Sequence, residues 1–440
     1  MYRIVTYIRV SAAYHFFIWS SILFPRSKKK NRLAGYCLIS RPDGSFRVRQ
    51  SEHKDPLIIL KYGYRQLLKW LNTDKSWVQG EGNKSVALYD IAIDSKPRLD
   101  FIESVDDVRP AYYLSKENLS YYKLPLLFKI VKSLFLLINI LFLLPFTISK
   151  HRAKMGLMIF GIDECATLLW VLKELEIKKL YYSGIAEIDS NACTILVQKQ
   201  GIKVIKNPSE DPMYFHNQII IADELGICNP YQKTEVETYK DTMFVHKTKQ
   251  WYPEMHLTHL KGKEWKPAEK DVLGYYSGSS WLRIALNYNL VSDAYDSYSA
   301  EAECEENIGA FIKANPQFKL RVFLHPLEKK HMDLTEAHFK NIWDGIAYEF
   351  EDIEKHSMQT FHRCSSAVTV FSGVMYYRFF AGYRGIMYCP NMPGFPIKSS
   401  LLDSVAAKNY EDLDLKIKEQ LALTDNEFHS KIMRKEYSYA

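Results

Sequence analysis

The chain has 440 residues, 47% of them apolar, with 58 Lys and Arg against 51 Asp and Glu and a formal charge of +7. That composition excludes a disordered or collagen-like polymer and a single small domain, and at about 150 residues per domain it fits two or three, each able to bury a core. The charge is unevenly divided: residues 1–154 hold 26 Lys and Arg and 12 Asp and Glu, or +14, which leaves −7 on the rest.

The first apolar stretch, Ala12 to Phe24, is aromatic and is followed by Arg26, Lys28, Lys29, Lys30 and Arg32. A cleaved signal peptide needs a small-residue site before polar mature sequence, which the basic cluster does not supply. The stretch reads as an interfacial anchor, or as an ordinary first strand and helix. Arg41-Pro-Asp-Gly44 marks a turn, and Val86 to Ile93 alternates as a strand. Ser133 to Ser149 then runs 17 positions without a charge, continuing upstream to Leu124 and ending downstream in Lys150, His151, Arg152 and Lys154. This is short for a transmembrane helix, and Pro145 would kink it. It predicts a helix lying in, or partly entering, a membrane interface, with Lys129 and Lys132 snorkelling and cations near lipid phosphates. A buried core helix and a full span are the alternatives. The region 1–154 therefore reads as a basic, apolar, membrane-associating segment that either stands alone or contributes to the first domain.

From residue 155 the pattern becomes regular. A short apolar run, Gly156 to Phe160, precedes a helical stretch from Ala166 to Leu175, and Leu180–Tyr182, Val204–Ile205 and Gln218–Ala222 read as strands around a helix within Asp189–Gln200. A polar stretch, Gln250 to Lys270, separates this series from a second. There, strands are expected at 271–276, 318–324, 346–350, 367–371 and 385–388, and helices at 297–314, 333–342, 354–362, 374–381 and 409–422. Alternation of this kind builds parallel sheets covered by helices. The expected class is α/β, with two doubly wound Rossmann-like domains, 155–265 and 266–440, facing a cleft.

Ligands in open α/β sheets sit beyond the carboxyl ends of strands. Three such places carry chemistry. Asp223-Glu224-Leu225-Gly226 follows Ile221-Ala222, with Tyr231 nearby; adjacent carboxylates there can supply a general base. His325-Pro326 follows Leu324 and can donate to a phosphate oxygen or a leaving group, whereas the bland reading is a surface His at a turn. Ser372-Gly373 follows Phe371 and opens a helix, offering a hydroxyl and backbone N–H groups at the positive end of the helix dipole, with simple N-capping as the alternative. Asp163-Glu164, after the run ending at Phe160, is a second acidic pair. The loop Gly274 to Ser280, with Ser277, Ser279 and Ser280 ahead of Trp281 and Arg283, is either cleft lining or a plain polar loop. Seven cysteines (37, 165, 193, 228, 304, 364 and 389) lack Cys-x-x-Cys spacing and suit a reducing compartment. His256 and His259 have no third ligand pattern beside them, so no metal site is expected.

The acidic pair, His-Pro and Ser-before-helix, in that order, resemble GT-B glycosyltransferases that use cytidine-nucleotide donors, in particular bacterial sialyltransferase-like families. The resemblance covers roughly residues 155–425. The acidic motif has one inserted residue, and Ser372-Gly373 matches only in its serine, while Arg378 to Tyr388 looks like the family's helix-then-strand continuation. The resemblance implies that Asp223 or Glu224 deprotonates an acceptor hydroxyl for an inverting transfer, with Asp163 and Glu164 as rivals. His325 would stabilise or protonate the departing phosphate, and Ser372 with the N–H of Gly373 would bind its oxygens. It implies a nucleotide-sugar donor, CMP-linked and sialic acid-like, as substrate, with no cofactor and no metal. The implied acceptor is a lipid-linked or surface polysaccharide at the cytoplasmic face of the inner membrane, where the protein is peripheral or monotopic on an anionic surface. Nucleic acid is not an expected partner, because the cations flank lipid-like runs and show no basic-aromatic spacing. Two rivals remain. One is a polyol-phosphate transferase of the teichoic-acid type, which needs a second His in the first domain, His216 or His246. The other is a non-catalytic scaffold of a polysaccharide assembly complex.

Overall fold

The computed structural model describes residues 2–23, 55–71, 78–90, 96–115, 126–148, 152–183, 190–207, 220–227, 232–233, 236–237, 240, 243–251, 266–286, 297–352, 354, 359–370, 372–390 and 405–428. The basic cluster 26–32, the turn at 41–44, His216, Tyr231, His256, His259 and Phe371 lie outside these. The chain divides into two compact units, the first comprising residues 1–209, 217–227 and 238–251, the second 210–216, 228–237 and 252–440.

The first unit is a sheet of seven strands in the order β1-β3-β2-β4-β5-β6-β7. Its members are β1 (Val78–Gln79), β2 (Asn83–Asp90), β3 (Pro110–Ser115), β4 (Lys179–Ser183), β5 (Lys203–Asn207), β6 (Ile220–Ile227) and β7 (Met243–Gln250). Only β1 runs antiparallel. The other six pair in parallel. Strands β2 and β3 come from the region before residue 155, so that region builds the first sheet together with the later strands. The helices are α1 (Tyr2–Leu23), α2 (Ile58–Leu71), α3 (Lys96–Asp106), α4 (Leu126–Leu143), α5 (Arg152–Glu174) and α6 (Ser190–Gln198).

Helix α5 corrects two expectations. The run Gly156 to Phe160 is its N-terminal part and not a strand, so Asp163 and Glu164 occupy mid-helix positions and not a strand end. An apolar run with no polar face has no readable period, and a buried helix then looks like a buried strand. Helix α5 is that case: Met158, Ile159, Ile162, Cys165, Leu168, Leu169 and Leu172 are all buried in one core with Ala87, Tyr89, Leu180 and Val204 from the sheet. Helices α1, α2 and α4 form a further layer that shares this core through Tyr7, Val10, Tyr14, Ile59, Tyr62 and Leu136. The approach of α2 to α5 is close enough that a Cβ on Gly156 would stand 2.3 Å from the Tyr62 ring.

The second unit holds six parallel strands, ordered β10-β9-β8-β11-β12-β13. They are β8 (Val272–Tyr276), β9 (Lys319–Phe323), β10 (Tyr348–Phe350), β11 (Ser366–Thr369), β12 (Ile386–Tyr388) and β13 (Ala406–Ala407). Around them run α7 (Ser280–Ala285), α8 (Ser297–Ala314), α9 (Met332–Ile342), α10 (Gly373–Phe380) and α11 (Tyr410–Ala422). Both expected doubly wound units are therefore present. Most of the helix expected near 354–362 falls outside the described residues, which hold at its end a 3-10 turn, Phe361–Arg363. The fully buried Arg378 guanidinium donates to the carbonyls of Phe361 at 2.7 Å and Cys364 at 3.1 Å and so fixes this turn against α10.

Candidate functional site

In the second unit the strand order, numbered from β8, is 3-2-1-4-5-6. Its direction reverses between β8 and β11, and ligands of such sheets bind outside the carboxyl ends at that reversal. Thr369 Oγ1 donates to the Tyr276 carbonyl at 2.8 Å, locking the ends of these two strands together. Three places meet this edge: Ser277–Ser280 after β8, Leu324–Glu328 after β9, and Val370 and Ser372 after β11.

Ser279 is the unusual residue of the first segment. Its φ is 61°, a left-handed conformation that a Cβ-bearing residue adopts only at a cost of about 1–3 kcal/mol. Its side chain is fully buried, and its hydroxyl has no hydrogen-bond partner. Both neighbours are engaged. Ser277 Oγ donates to Glu328 Oε1 at 2.7 Å, and the Ser280 N–H donates to Glu301 Oε2 at 2.6 Å. The Gly278 N–H donates to the other Glu301 oxygen. The N–H groups of Gly278, Ser279 and Ser280 are thus spent internally, the Ser279 N–H on Ser277 Oγ at 3.2 Å, which leaves the Ser279 hydroxyl for a ligand.

His325 is held by its own turn. Its N–H donates to Glu328 Oε2 at 2.8 Å, and its Nδ1 accepts the N–H of Leu327 at 3.1 Å. An accepting Nδ1 puts the imidazole proton on Nε2. Burial, with the nearby Arg283 cation, pushes the imidazole down to about 4. At neutral pH His325 is consequently a neutral Nε2–H donor in the free protein, suited to hold a phosphate oxygen and not yet charged for proton transfer.

Ser372 is the N-cap of α10: extended in backbone, it accepts the Val374 N–H at 3.3 Å through Oγ. The capping alternative is realised. Capping uses an acceptor lone pair of the hydroxyl and leaves its hydrogen able to donate. Ser372 and Gly373 stand at the first turn of an eight-residue helix on the switch-point edge.

Beneath this edge is a layer that sequence reading missed. Glu301 and Glu305 on α8, and Glu328 after β9, are all buried. Burial, then repulsion from Glu305 and Glu328, pushes Glu301 well above the usual carboxylate range, and burial, helped by Glu328 and opposed by the Tyr275 hydrogen bond, does the same to Glu305. Glu305 accepts from Tyr275 OH at 3.0 Å and meets His338 Nε2 at 3.2 Å. Burial holds His338 down to about 4. Both shifts run toward the neutral forms, a carboxyl and an uncharged imidazole. Trp281 stacks on His338 with centroids 4.0 Å apart and donates Nε1–H to Glu328 at 2.8 Å. The available signal was that Glu301 and Glu305 share a helix face with Ala300, Cys304 and Ile308, core positions where a carboxylate is out of place.

In the first unit the candidate bases are placed differently from expectation. β6 extends to Ile227, so Asp223 and Glu224 lie in mid-strand and not at its carboxyl end. Asp223 Oδ2 accepts the Val204 N–H of the neighbouring strand at 2.7 Å, and its Oδ1 is 3.6 Å from His246 Nδ1. Glu224 pairs with Lys203 at 3.0 Å. Asp163 is buried in an ion pair with Lys132 and accepts Gln66 Nε2 at 2.6 Å. Lys132 is thus a buried partner of Asp163 and does not snorkel. Among the described residues no group of three His, Cys, Asp or Glu could hold a metal ion. A cavity of about 560 Å³ beside β10 is lined by Arg321, Arg363, Glu349 and Glu351 and includes none of the residues above. In its wall Arg321 pairs with Glu349 and Glu351, a structural arrangement.

No protein-family profile matches the chain, and no curated protein matches its sequence. Solved structures with a similar course of chain include S. aureus MnaA with UDP, at 8% identity, TM-score 0.45, covering 80% of this chain and 90% of that one. UDP-GlcNAc 2-epimerase of Methanocaldococcus jannaschii, in complex with UDP-GlcNAc and UDP, gives 11% identity, TM-score 0.43 and coverages of 78% and 93%. A mutant O-GlcNAc transferase of Thermobaculum terrenum gives 11%, 0.38, 88% and 72%. At these identities the likeness concerns the course of the chain and not the ligand.

Proposed function

We propose that the protein is a GT-B-type transferase that takes a sugar from a nucleotide-activated donor, with the donor phosphate bound at the β8/β11 switch point of the second unit. The observation that carries this reading is Ser279, a strained residue whose fully buried hydroxyl lacks a partner where an α/β sheet takes its ligand. His325 Nε2–H and the Ser372 hydroxyl, with the N–H of Gly373 at the start of α10, complete a set of neutral donors for phosphate oxygens. Stabilising the leaving phosphate in this way needs no metal. A CMP-linked, sialic acid-like donor is the preferred identity, from the sequence resemblance. The acceptor is a lipid-linked or surface glycan, reached from the cytoplasmic face of a membrane. Asp223 is the more exposed of the two acids on β6 and the better candidate for the acceptor's base.

Thermal shift with CMP, CDP, UDP and GDP tests the reading: at least one nucleotide should raise Tm, and Ser279→Ala should reduce that rise. Failure of all four would overturn it and favour a scaffold. One observation favours a second reading, transfer of a polyol phosphate from a CDP donor. His246, 81% exposed, stands beside Asp223 in the first unit, where that chemistry needs a histidine. Release of CMP with transfer of glycerol or ribitol phosphate, and its loss in His246→Ala, would establish it.

A further inference from the structure

Helix α4 has two unlike faces. On one, Lys132, Leu136, Asn139 and Leu143 are buried. Asn139 bonds His15 Nε2 at 2.7 Å and Ser11 Oγ at 3.3 Å, and Lys132 pairs with Asp163. On the other, Ile130, Leu134, Leu137, Ile138, Leu141 and Phe142 are all exposed, a stripe at helical spacing from 130 to 142. This is not scattered exposure. Of the 17 exposed large hydrophobic side chains among the described residues, 13 lie on α1, α2 and the turn before it, α4 and the 3-10 turn after it. An apolar surface so concentrated marks an interaction site.

Charge decides the partner. Arg9 on α1 and Lys61 and Arg65 on α2 are exposed, Lys61 beside Asp55 in the turn before α2, and α1, α2 and α4 contain not one Asp or Glu. A second copy docked on the same face would bring these cations together. An anionic surface complements them. Ile130–Ile148 is long and apolar enough to cross a bilayer, with a mean hydropathy of 2.1. Its inner face is nevertheless occupied by protein, including an ion pair and an amide network, which leaves only one side for lipid.

We propose that the outer face of α1, α2 and α4 is a monotopic docking surface for an anionic phospholipid bilayer, with α4 lying in the membrane plane. This deepens the membrane part of the proposed function and rests on it, but the test uses neither donor nor acceptor, so it stands or falls separately from catalysis. The full chain is floated with vesicles of phosphatidylcholine alone and of phosphatidylcholine with phosphatidylglycerol, at low and high salt. The protein should float with the anionic vesicles, less at high salt. The double variant Leu134→Glu, Leu141→Glu, altering exposed positions only, should lose affinity by about tenfold or more with Tm unchanged. No flotation of the wild type at either salt, or equal binding by the double variant, would overturn the proposal. So would equal binding to neutral and anionic vesicles with release only by detergent, the mark of a span. A wild-type dimer that ignores vesicles and becomes monomeric in the double variant would assign the face to a second copy instead.

Discussion

The carboxylate of Glu328 accepts the backbone N–H of His325 through one oxygen and takes Ser277 Oγ–H and Trp281 Nε1–H through the other. One buried side chain therefore sets the distance between the loops that leave β8 and β9, and with it the position of the imidazole relative to Ser279. Glu328→Gln keeps the volume but turns one acceptor into an N–H₂ donor facing the His325 N–H. The expected result is a loss of about 1–3 kcal/mol of stability. The nucleotide-induced rise in Tm should shrink, and transfer should show a raised KM. An unchanged KM would show that Glu328 serves stability only.

His325 is neutral at working pH in the free protein, held down to about 4 by burial and Arg283. Nucleotide binding should then show no step attributable to this group between pH 6 and 8. His325→Ala should weaken binding, while His325→Asn, which retains an N–H donor, should restore part of it. Isothermal titration across that pH range checks both statements. A step near 6.5 that disappears in His325→Ala would contradict the neutral assignment.

The buried carboxyl pair makes the second unit pH-sensitive in a defined direction. Glu301 and Glu305 are raised from 4.5 to about 8, so the folded state holds protons that the unfolded chain releases. Their contribution is fully present below 4.5 and is lost as pH rises through 8. His338 and His325 are lowered from 6.5 to about 4, and their opposite contribution is complete above 6.5. Between 6.5 and 8 the carboxyls act alone, and Tm should fall. Glu305→Gln can still accept from Tyr275 and donate to His338, and it should flatten that fall. An equally steep decline in the variant would remove Glu305 from the account.

Lys132 and Asp163 are each about 5% exposed, joined across α4 and α5. Lys132→Met leaves a buried carboxylate without its cation and should cost about 3–5 kcal/mol, read from the denaturation midpoint. Lys132→Met with Asp163→Leu should recover most of this, because apolar packing then replaces both charges. If the double variant is as unstable as the single, the loss comes from packing and not from the orphaned charge.

Gly156 faces the Tyr62 ring so closely that a Cβ would stand 2.3 Å away. Gly156→Val should force α2 from α5 and cost about 1–3 kcal/mol in spite of its better helix propensity. Tyr62→Ala in the same chain should relieve part of that loss, as measured by Tm.

The amino-acid pattern by itself determined the second unit closely. Its strands and helices alternate in short apolar runs and periodic stretches, and helix α8 begins and ends at the expected residues, Ser297 and Ala314. Local pattern was sufficient there because each element has one polar and one apolar face, or is too short to be anything but a strand. It failed at Gly156–Phe160, where α5 is apolar all round and carries no period to read. Chemistry followed the same division. His325 and Ser372 were legible because the apolar runs before them end within two residues of where β9 and β11 end. The reach of β6 to Ile227, which puts Asp223 and Glu224 in mid-strand, depends on pairing with β7 and is not a local property. Nor could the charge of Lys132 reveal whether it met lipid or Asp163, since that rests on a helix crossing 31 residues later in the chain. Tertiary packing also shifts the acidity of Glu301, Glu305 and His338 toward their neutral forms. Burial, a property of the whole fold, outweighs the intrinsic acidity that a sequence specifies.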